Sequence, residues 1–254
     1  MKRNLLLLTL MIFALGSLQV TAQTIKKPFN GTDLTGWKFN GGWENCWKVG
    51  MLRATATTFE VMPIPDNVRN ANQSQNQNRN RFFAPAIANA VDLNWTQVDP
   101  RKGVDINTEE KFGDCTVKLE FFITKGSNSG VYLMGEYEVQ VADSFAKPSD
   151  KLGQGDMGAI YSAAAPKLNA CGVPGTWQSF VIEFVAPKFD ASGNKTANAL
   201  FKKIILNDVV VLENVEVKEP TGGGVTGKEA PTGPLMFQGN HGPVAYRNIE
   251  IIVP

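Results

Sequence analysis

The chain of 254 residues contains one histidine, His241, and three cysteines, Cys46, Cys115 and Cys171, none in a CxxC spacing. That scarcity argues against a histidine- or cysteine-based metal motif and against a thioredoxin-like redox pair. The thiols leave open either one disulfide with a free cysteine or three separate thiols. Net charge is also missing: 25 Lys and Arg against 24 Asp and Glu give a formal +1. With no field of one sign, nucleic acid and acidic membrane surfaces are not expected partners. No apolar run reaches the roughly 20 residues of a membrane-spanning helix, and no stretch carries a convincing amphipathic helical period. The glycine-rich "GQGDMGAIYS" at 153–162 holds Asp156 and Tyr161 but lacks the strand-then-helix setting of a phosphate loop, which disfavours nucleotide binding.

The N-terminus is of a different kind. Lys2 and Arg3 precede the apolar run "LLLLTLMIFAL", and the small residues of "VTA" follow at 20–22, the order of a secretory signal cleaved after Ala22. No cysteine stands there to take a lipid. Residues 1–22 are therefore expected to be a signal peptide, and 23–254 a single exported domain, periplasmic or secreted. A hydrophobic share of 43% with 19% charged residues suffices for a packed core.

Between 26 and 60, Trp37, Trp43, Trp47 and Phe39 mix with glycines, a pattern of short strands and turns. From about 60 to 107 the pattern loosens around "NVRNANQSQNQNRNR", which is expected to be a solvent-exposed polar insertion. Beyond it the chain turns strongly to strand. "CTVKLEFFIT", "SGVYLMGEYEVQVAD", "TWQSFVIEFVAP", "LFKKIILNDVVVLENVEV", "GPLMFQG" and "VAYRNIEIIV" are rich in β-branched and aromatic residues and are divided by turn formers. Asn207-Asp208 between two apolar runs marks a hairpin. The expected fold is all-β: a two-sheet antiparallel β-sandwich, since each sheet needs a second to cover its apolar face.

Alternation assigns side chains to faces. In "EYEVQVAD", Tyr137, Val139 and Val141 point into the core while Glu136, Glu138, Gln140 and Ala142 point away. A solvated sheet face has the same pattern as a binding face. Glu120 opposes Leu119 and Phe121, which is compatible with the outer face that carries Glu138. Asn128 and Ser129 in "KGSNSGVYL" suit turn capping as well as sugar hydroxyls. His241 lies in a glycine turn ahead of the last strand, where an imidazole with pKa near ~6.5 suits proton transfer, although hydrogen bonding to the backbone accounts for it equally. Arg247 would meet a carboxylate such as Glu138 or an oxygen-rich ligand, or form a surface salt bridge.

Five blocks in order, "PFNGTDLTGW" (28–37), "EEKFGDCTVKLEFFITKGSNSGVYLMGEYEVQVADS" (109–144), "GAIYSAAAP" (158–166), "GTWQSFVIEFVAPKFD" (175–190) and "GPLMFQGNHGPVAYRNIEI" (233–251), resemble the 3-keto-disaccharide hydrolases. The resemblance implies a concanavalin A-like (laminarinase-like) jelly roll that acts on sugars oxidised at carbon 3. The ketone acidifies the C2 proton, a base removes it, the aglycone leaves C1, and water adds. By motif position the resemblance nominates Glu138, His241 and Arg247 as catalytic residues, with Glu138 or His241 as base. Gln140, Asn128, Asp143 and Asn240 are nominated for substrate binding. Asn240 departs from the family turn, in which an aspartate commonly stands beside the histidine. No sequence feature requires a cofactor, and the chemistry is compatible with a divalent cation. The expected partner is an oxidised di- or oligosaccharide or glycoside. A non-catalytic carbohydrate-binding protein on the same fold is the alternative, followed by a conventional glycosidase.

Overall fold

The structure, a computed structural model, describes residues 23–40, 46–66, 86–89 and 104–254. The expected signal segment, Trp43 and most of the polar insertion lie outside these residues.

Sixteen strands follow one another along the described chain: β1 (Thr24–Lys26), β2 (Trp37–Asn40), β3 (Trp47–Ala54), β4 (Phe59–Met62), β5 (Ala86–Asn89), β6 (Asp105–Phe112), β7 (Cys115–Ile123), β8 (Asn128–Leu133), β9 (Tyr137–Ala142), β10 (Trp177–Val185), β11 (Lys188–Phe189), β12 (Lys195–Ala197), β13 (Ala199–Leu206), β14 (Val209–Val217), β15 (Gly233–Phe237) and β16 (Val244–Val253). A 3-10 turn at Ser149–Lys151 interrupts the long β9–β10 connection. The strands build a five-stranded sheet, ordered β2-β6-β15-β8-β9, a nine-stranded sheet, ordered β14-β13-β10-β7-β16-β5-β3-β4 with β1 on β16, and a two-stranded ribbon of β11 and β12. Every pairing among the described residues is antiparallel, as expected for the jelly-roll sandwich. Among the described residues no helix is long and apolar enough to cross a membrane.

The core lies between the sheets and is filled by the apolar half of each alternating strand. Tyr137, Val139 and Val141 of β9 and Val131 and Leu133 of β8 meet Phe121, Phe180, Tyr246 and Ile251 from the larger sheet. Burying each such side chain stabilises the fold by about 1.5–3 kcal/mol. Phe237 of β15 stacks on Tyr246 of β16 with ring centroids 3.9 Å apart, joining the two sheets face to face. Beneath that stack the Ser129 and Tyr246 hydroxyls are hydrogen-bonded at 2.8 Å. Where the sequence has Asn207-Asp208, β13 turns into β14 with both residues at positive φ, 49° and 65°, as a two-residue type I′ hairpin requires.

One sequence expectation changes and one open alternative is settled. The expected insertion contains a central strand: β5 lies between β16 and β3, and Ala86, Ile87 and Ala88 are buried. Four residues carry too short a pattern to stand out from the polar tract before them. The cysteines are all free thiols. Burial pushes Cys115 up to about 12 and Cys171 up to about 11, so neither carries a reactive thiolate at neutral pH.

Candidate functional site

The outward face of the five-stranded sheet is unusually polar for one so well covered. On β9 it presents Glu138 and Gln140, and the β8 register places Tyr132 opposite Glu138, Gly130 opposite Gln140 and Asn128 opposite Ala142. Tyr132 is level with Met236 of β15, and Met236 with Asn107 of β6. By alternation, Gln238 and Asp105 join the same face. Glu138, Gln140 and Tyr132 expose 3%, 3% and 1% of their surface, so these are buried polar groups and not a washed sheet surface.

Each contact has a local cause. Tyr132 donates its hydroxyl proton to Glu138, and Gln238 Nε2 approaches the same hydroxyl at 3.4 Å. Gly130 makes room for this arrangement: a Cβ there would collide with Glu138 Oε1 and lie 2.7 Å from Tyr132 Cε2. Burial raises the Glu138 carboxyl to about 7; the Tyr132 hydrogen bond opposes the shift and the charge of Asp105 adds to it. Asp105 is itself raised to about 6 by burial, and it accepts a hydrogen bond from Gly239 N at 2.9 Å. Gln140 Nε2 donates to Asn128 Oδ1 at 2.9 Å, while Gln140 Oε1 is buried with no partner. A buried carbonyl without a donor costs about 1–3 kcal/mol, which a ligand hydroxyl would recover.

A segment from 221 to 228 closes the Tyr132 side. Thr226 N and Oγ1 and Gly227 N all donate to the Glu136 carboxylate, and Thr221 Oγ1 accepts from Glu138 N at 2.9 Å. Glu136 therefore clamps a loop. Beyond that clamp, a cavity of about 190 Å³ opens on the same sheet face between Lys38, Asn107, Lys111 and Pro234. Glu138, Gln140 and Tyr132 do not line it.

The turn bearing His241 packs on the start of β8. Asn128 N donates to His241 O at 3.1 Å, and Ser127 Oγ donates to Pro243 O at 2.6 Å. His241 is exposed at the rim, with Nδ1 hydrogen-bonded to Asn240 Oδ1. Partial desolvation lowers its pKa, favouring the neutral ring. Asp143 is taken up by turn geometry, accepting from Gly126 N at 2.8 Å and Phe145 N at 3.2 Å. Asp156 serves a neighbouring loop, bonded to Ser144, Lys147 and Gly153 N.

Glu138, Gln140 and Asn128 thus come together, with Asn240 and His241 at the adjoining rim. Arg247 does not join them. It lies on the outer face of the larger sheet, opposite in parity to the core residue Tyr246, with Nε 2.8 Å from Glu120 Oε2 and its guanidinium 3.9 Å from the Trp177 ring centroid. Glu120 accordingly shares Arg247's face, not that of Glu138. Sequence reasoning missed Asp105, Tyr132 and Gln238; the alternation around "GVYL" carried a signal for Tyr132, and the loosened pattern hid Asp105. Among the described residues no group of three His, Cys, Asp or Glu side chains is arranged to hold a metal ion.

A jelly-roll sandwich with a buried, carboxylate-bearing polar face is an architecture suited to sugars. The chain belongs to the 3-keto-alpha-glucoside-1,2-lyase-like family, whose domain model matches residues 24–252. Two solved structures share its fold. One candidate glycosyl hydrolase of Parabacteroides distasonis is 23% identical with a TM-score of 0.54, covering 94% of this chain and 93% of its own. A second from the same organism is 18% identical with a TM-score of 0.51, covering 89% and 92%. No curated protein matches the sequence.

Proposed function

We propose that this protein is an exported enzyme that cleaves 3-keto-glycosides by elimination, with Glu138 as the base. The observation that carries this reading is a carboxylate only 3% exposed, raised to about 7, hydrogen-bonded to the Tyr132 phenol and sharing its strand face with the buried, unpartnered Gln140 Oε1. A base of that strength is matched to neutral pH, where it is substantially ionised and still holds a proton well enough to remove one from carbon. Only an acidified carbon suits it. The C3 ketone supplies that acidity at C2: Glu138 takes the C2 proton, the electron pair forms the enolate, and collapse of the enolate expels the C1 substituent. Water then adds across C1 and C2. Gln140 Oε1 accepts a sugar hydroxyl, while the amide N–H groups of Asn128 and Gln238 are the donors on this face for the enolate oxygen. His241 and Asn240 contact the substrate at the rim. The burial of Glu138 favours it over the exposed His241 as base. Export rests on the Lys2-Arg3 start, the apolar run and the small residues before Gln23.

The test is release of a chromogenic aglycone from a 3-keto-glucoside and from its unoxidised parent, by the wild type, Glu138→Gln and His241→Ala, with and without chelator. Release from the keto substrate alone, reduced by Glu138→Gln about 10³-fold or more and by His241→Ala far less, is the expected result. Equal release from the unoxidised parent would point to ordinary glycosidase chemistry. No release from either, with sugar binding intact, would make the protein a binding module.

A further inference from the structure

Elimination needs one more group. The glycosidic oxygen leaves C1 with the bonding pair, and a sugar alkoxide leaves slowly unless a proton reaches it as the bond breaks. Glu138 is occupied with the C2 proton. Because C1 and C2 are adjacent atoms, the donor has to stand beside Glu138.

The sheet determines what stands there. On one side is Tyr132, buried and committed to the Glu138 carboxylate. On the other, the chain returns as a short extra rung: Ile160 bridges Val139, Gln140 N donates to Ala159 O at 2.9 Å, and Tyr161 N donates to Glu138 O at 3.1 Å. Ile160 follows Val139 into the core, so Tyr161 is directed to the outward face, across from Glu138. Ile160 is fully buried, while Tyr161 is 41% exposed. Directly opposed side chains have Cβ atoms about 4.5–5.5 Å apart, a suitable spacing for two groups that address neighbouring atoms of one ring. The Tyr161 phenol is close enough to influence that of Tyr132 electrostatically. A tight turn fixes the rung: Ser162 has φ 56°, and Ile160 exchanges hydrogen bonds with Ala164 at 3.0 and 2.9 Å.

We propose that Tyr161 is a catalytic residue that gives its phenolic proton to the departing glycosidic oxygen, an inference that rests on the elimination reading above. In the enolate, the O3 pair re-forms the C3 carbonyl and the C2–C3 π pair moves to C1–C2. The C1–O bond breaks with its pair on oxygen, and the Tyr161 proton joins that oxygen. Glu138 then loses the C2 proton to solvent and the tyrosinate regains one, so the enzyme returns to its starting state.

Leaving-group dependence tests this. Wild type and Tyr161→Phe are compared on a nitrophenyl 3-keto-glucoside, whose acidic phenol departs unaided, and on the methyl 3-keto-glucoside, whose alcohol does not. The expected result is a loss in kcat of about 10²-fold or more on the methyl substrate and little on the nitrophenyl one, with KM unchanged. Equal losses on both substrates, a change in KM alone, or wild-type behaviour of Tyr161→Phe would overturn the assignment while leaving the elimination intact. A wild type silent on both keto substrates would remove the elimination reading and this inference with it.

Discussion

The two sheets of the sandwich each hold a buried carboxylate on the face turned away from the core, and they treat it in opposite ways. On the larger sheet Glu120 meets Arg247 at 2.8 Å, and the guanidinium is laid on Trp177. On the smaller sheet Glu138 has a phenol for a hydrogen-bond partner and Asp105 as a nearby like charge. Pairing makes the first carboxylate a structural element. Burial beside a second acid leaves the other near 7, in the range where a proton can be taken and returned. Burial and charge are thus similar at the two places, and only the sign of the neighbours separates a fastener from a base.

That contrast is broken most sharply by exchanging what each carboxylate loses. Glu138→Gln should abolish turnover on a keto substrate while the thermal midpoint at pH 8 stays level or rises. Arg247→Ala should do the reverse, costing about 3–5 kcal/mol because Glu120 is left buried without its cation. The folded fraction should keep its kcat. Replacing Arg247 and Glu120 together by Met and Leu should recover most of the stability, measured by urea denaturation. An Arg247→Ala protein that folds as well as the wild type but has lost kcat would place the arginine in the chemistry after all.

Gly130 offers a smaller perturbation of the same face. Gly130→Ala puts a methyl group where Glu138 Oε1 now lies. The far end of a glutamate can swing aside, but the buried Tyr132 ring edge must shift as well, so a stability loss of about 1–3 kcal/mol is expected with the fold retained. The carboxylate would be displaced by the order of 1 Å, for which about 10²-fold in kcat is expected. Steady-state kinetics alongside a thermal melt separates the two effects; parallel collapse of both would show that Gly130 serves packing alone.

Much of this contrast was already legible in residue order. The period-two pattern of "EYEVQVAD" is enough to put Glu138 and Gln140 on the side opposite Tyr137 and Val139, because the pleat allows nothing else. The Asn207-Asp208 turn is equally local. What alternation cannot say is which sheet a strand joins. Arg247 alternates with Tyr246 in the sequence as Glu138 does with Val139, yet β16 belongs to the larger sheet and β9 to the smaller. The two charged residues therefore lie on opposite sides of the molecule. That assignment depends on pairing partners more than a hundred residues apart, such as Arg247 with Glu120. Tyr161 and Asp105 escaped for a related reason: one sits on a rung defined only by its partner β9, the other at the start of a strand that emerges from a polar tract.

The finest test is thermodynamic. Glu138 is raised from an ordinary 4.5 to about 7 in the folded protein, so between those values the folded chain holds a proton that the unfolded chain has released. Stability attached to this group is fully present below pH 4.5 and is lost as pH rises through about 7. The span corresponds to roughly 3 kcal/mol, and Asp105, raised to about 6, adds a change of the same sign over a lower window. Urea midpoints taken from pH 5 to pH 8 should therefore fall in the wild type, and fall less steeply in Glu138→Gln, where Asp105 still acts in the same sense and the lowered His241 in the opposite one. If the two slopes coincide, Glu138 titrates alike in the folded and unfolded chains, and the carboxylate on the smaller sheet is not the poised base that its burial makes it.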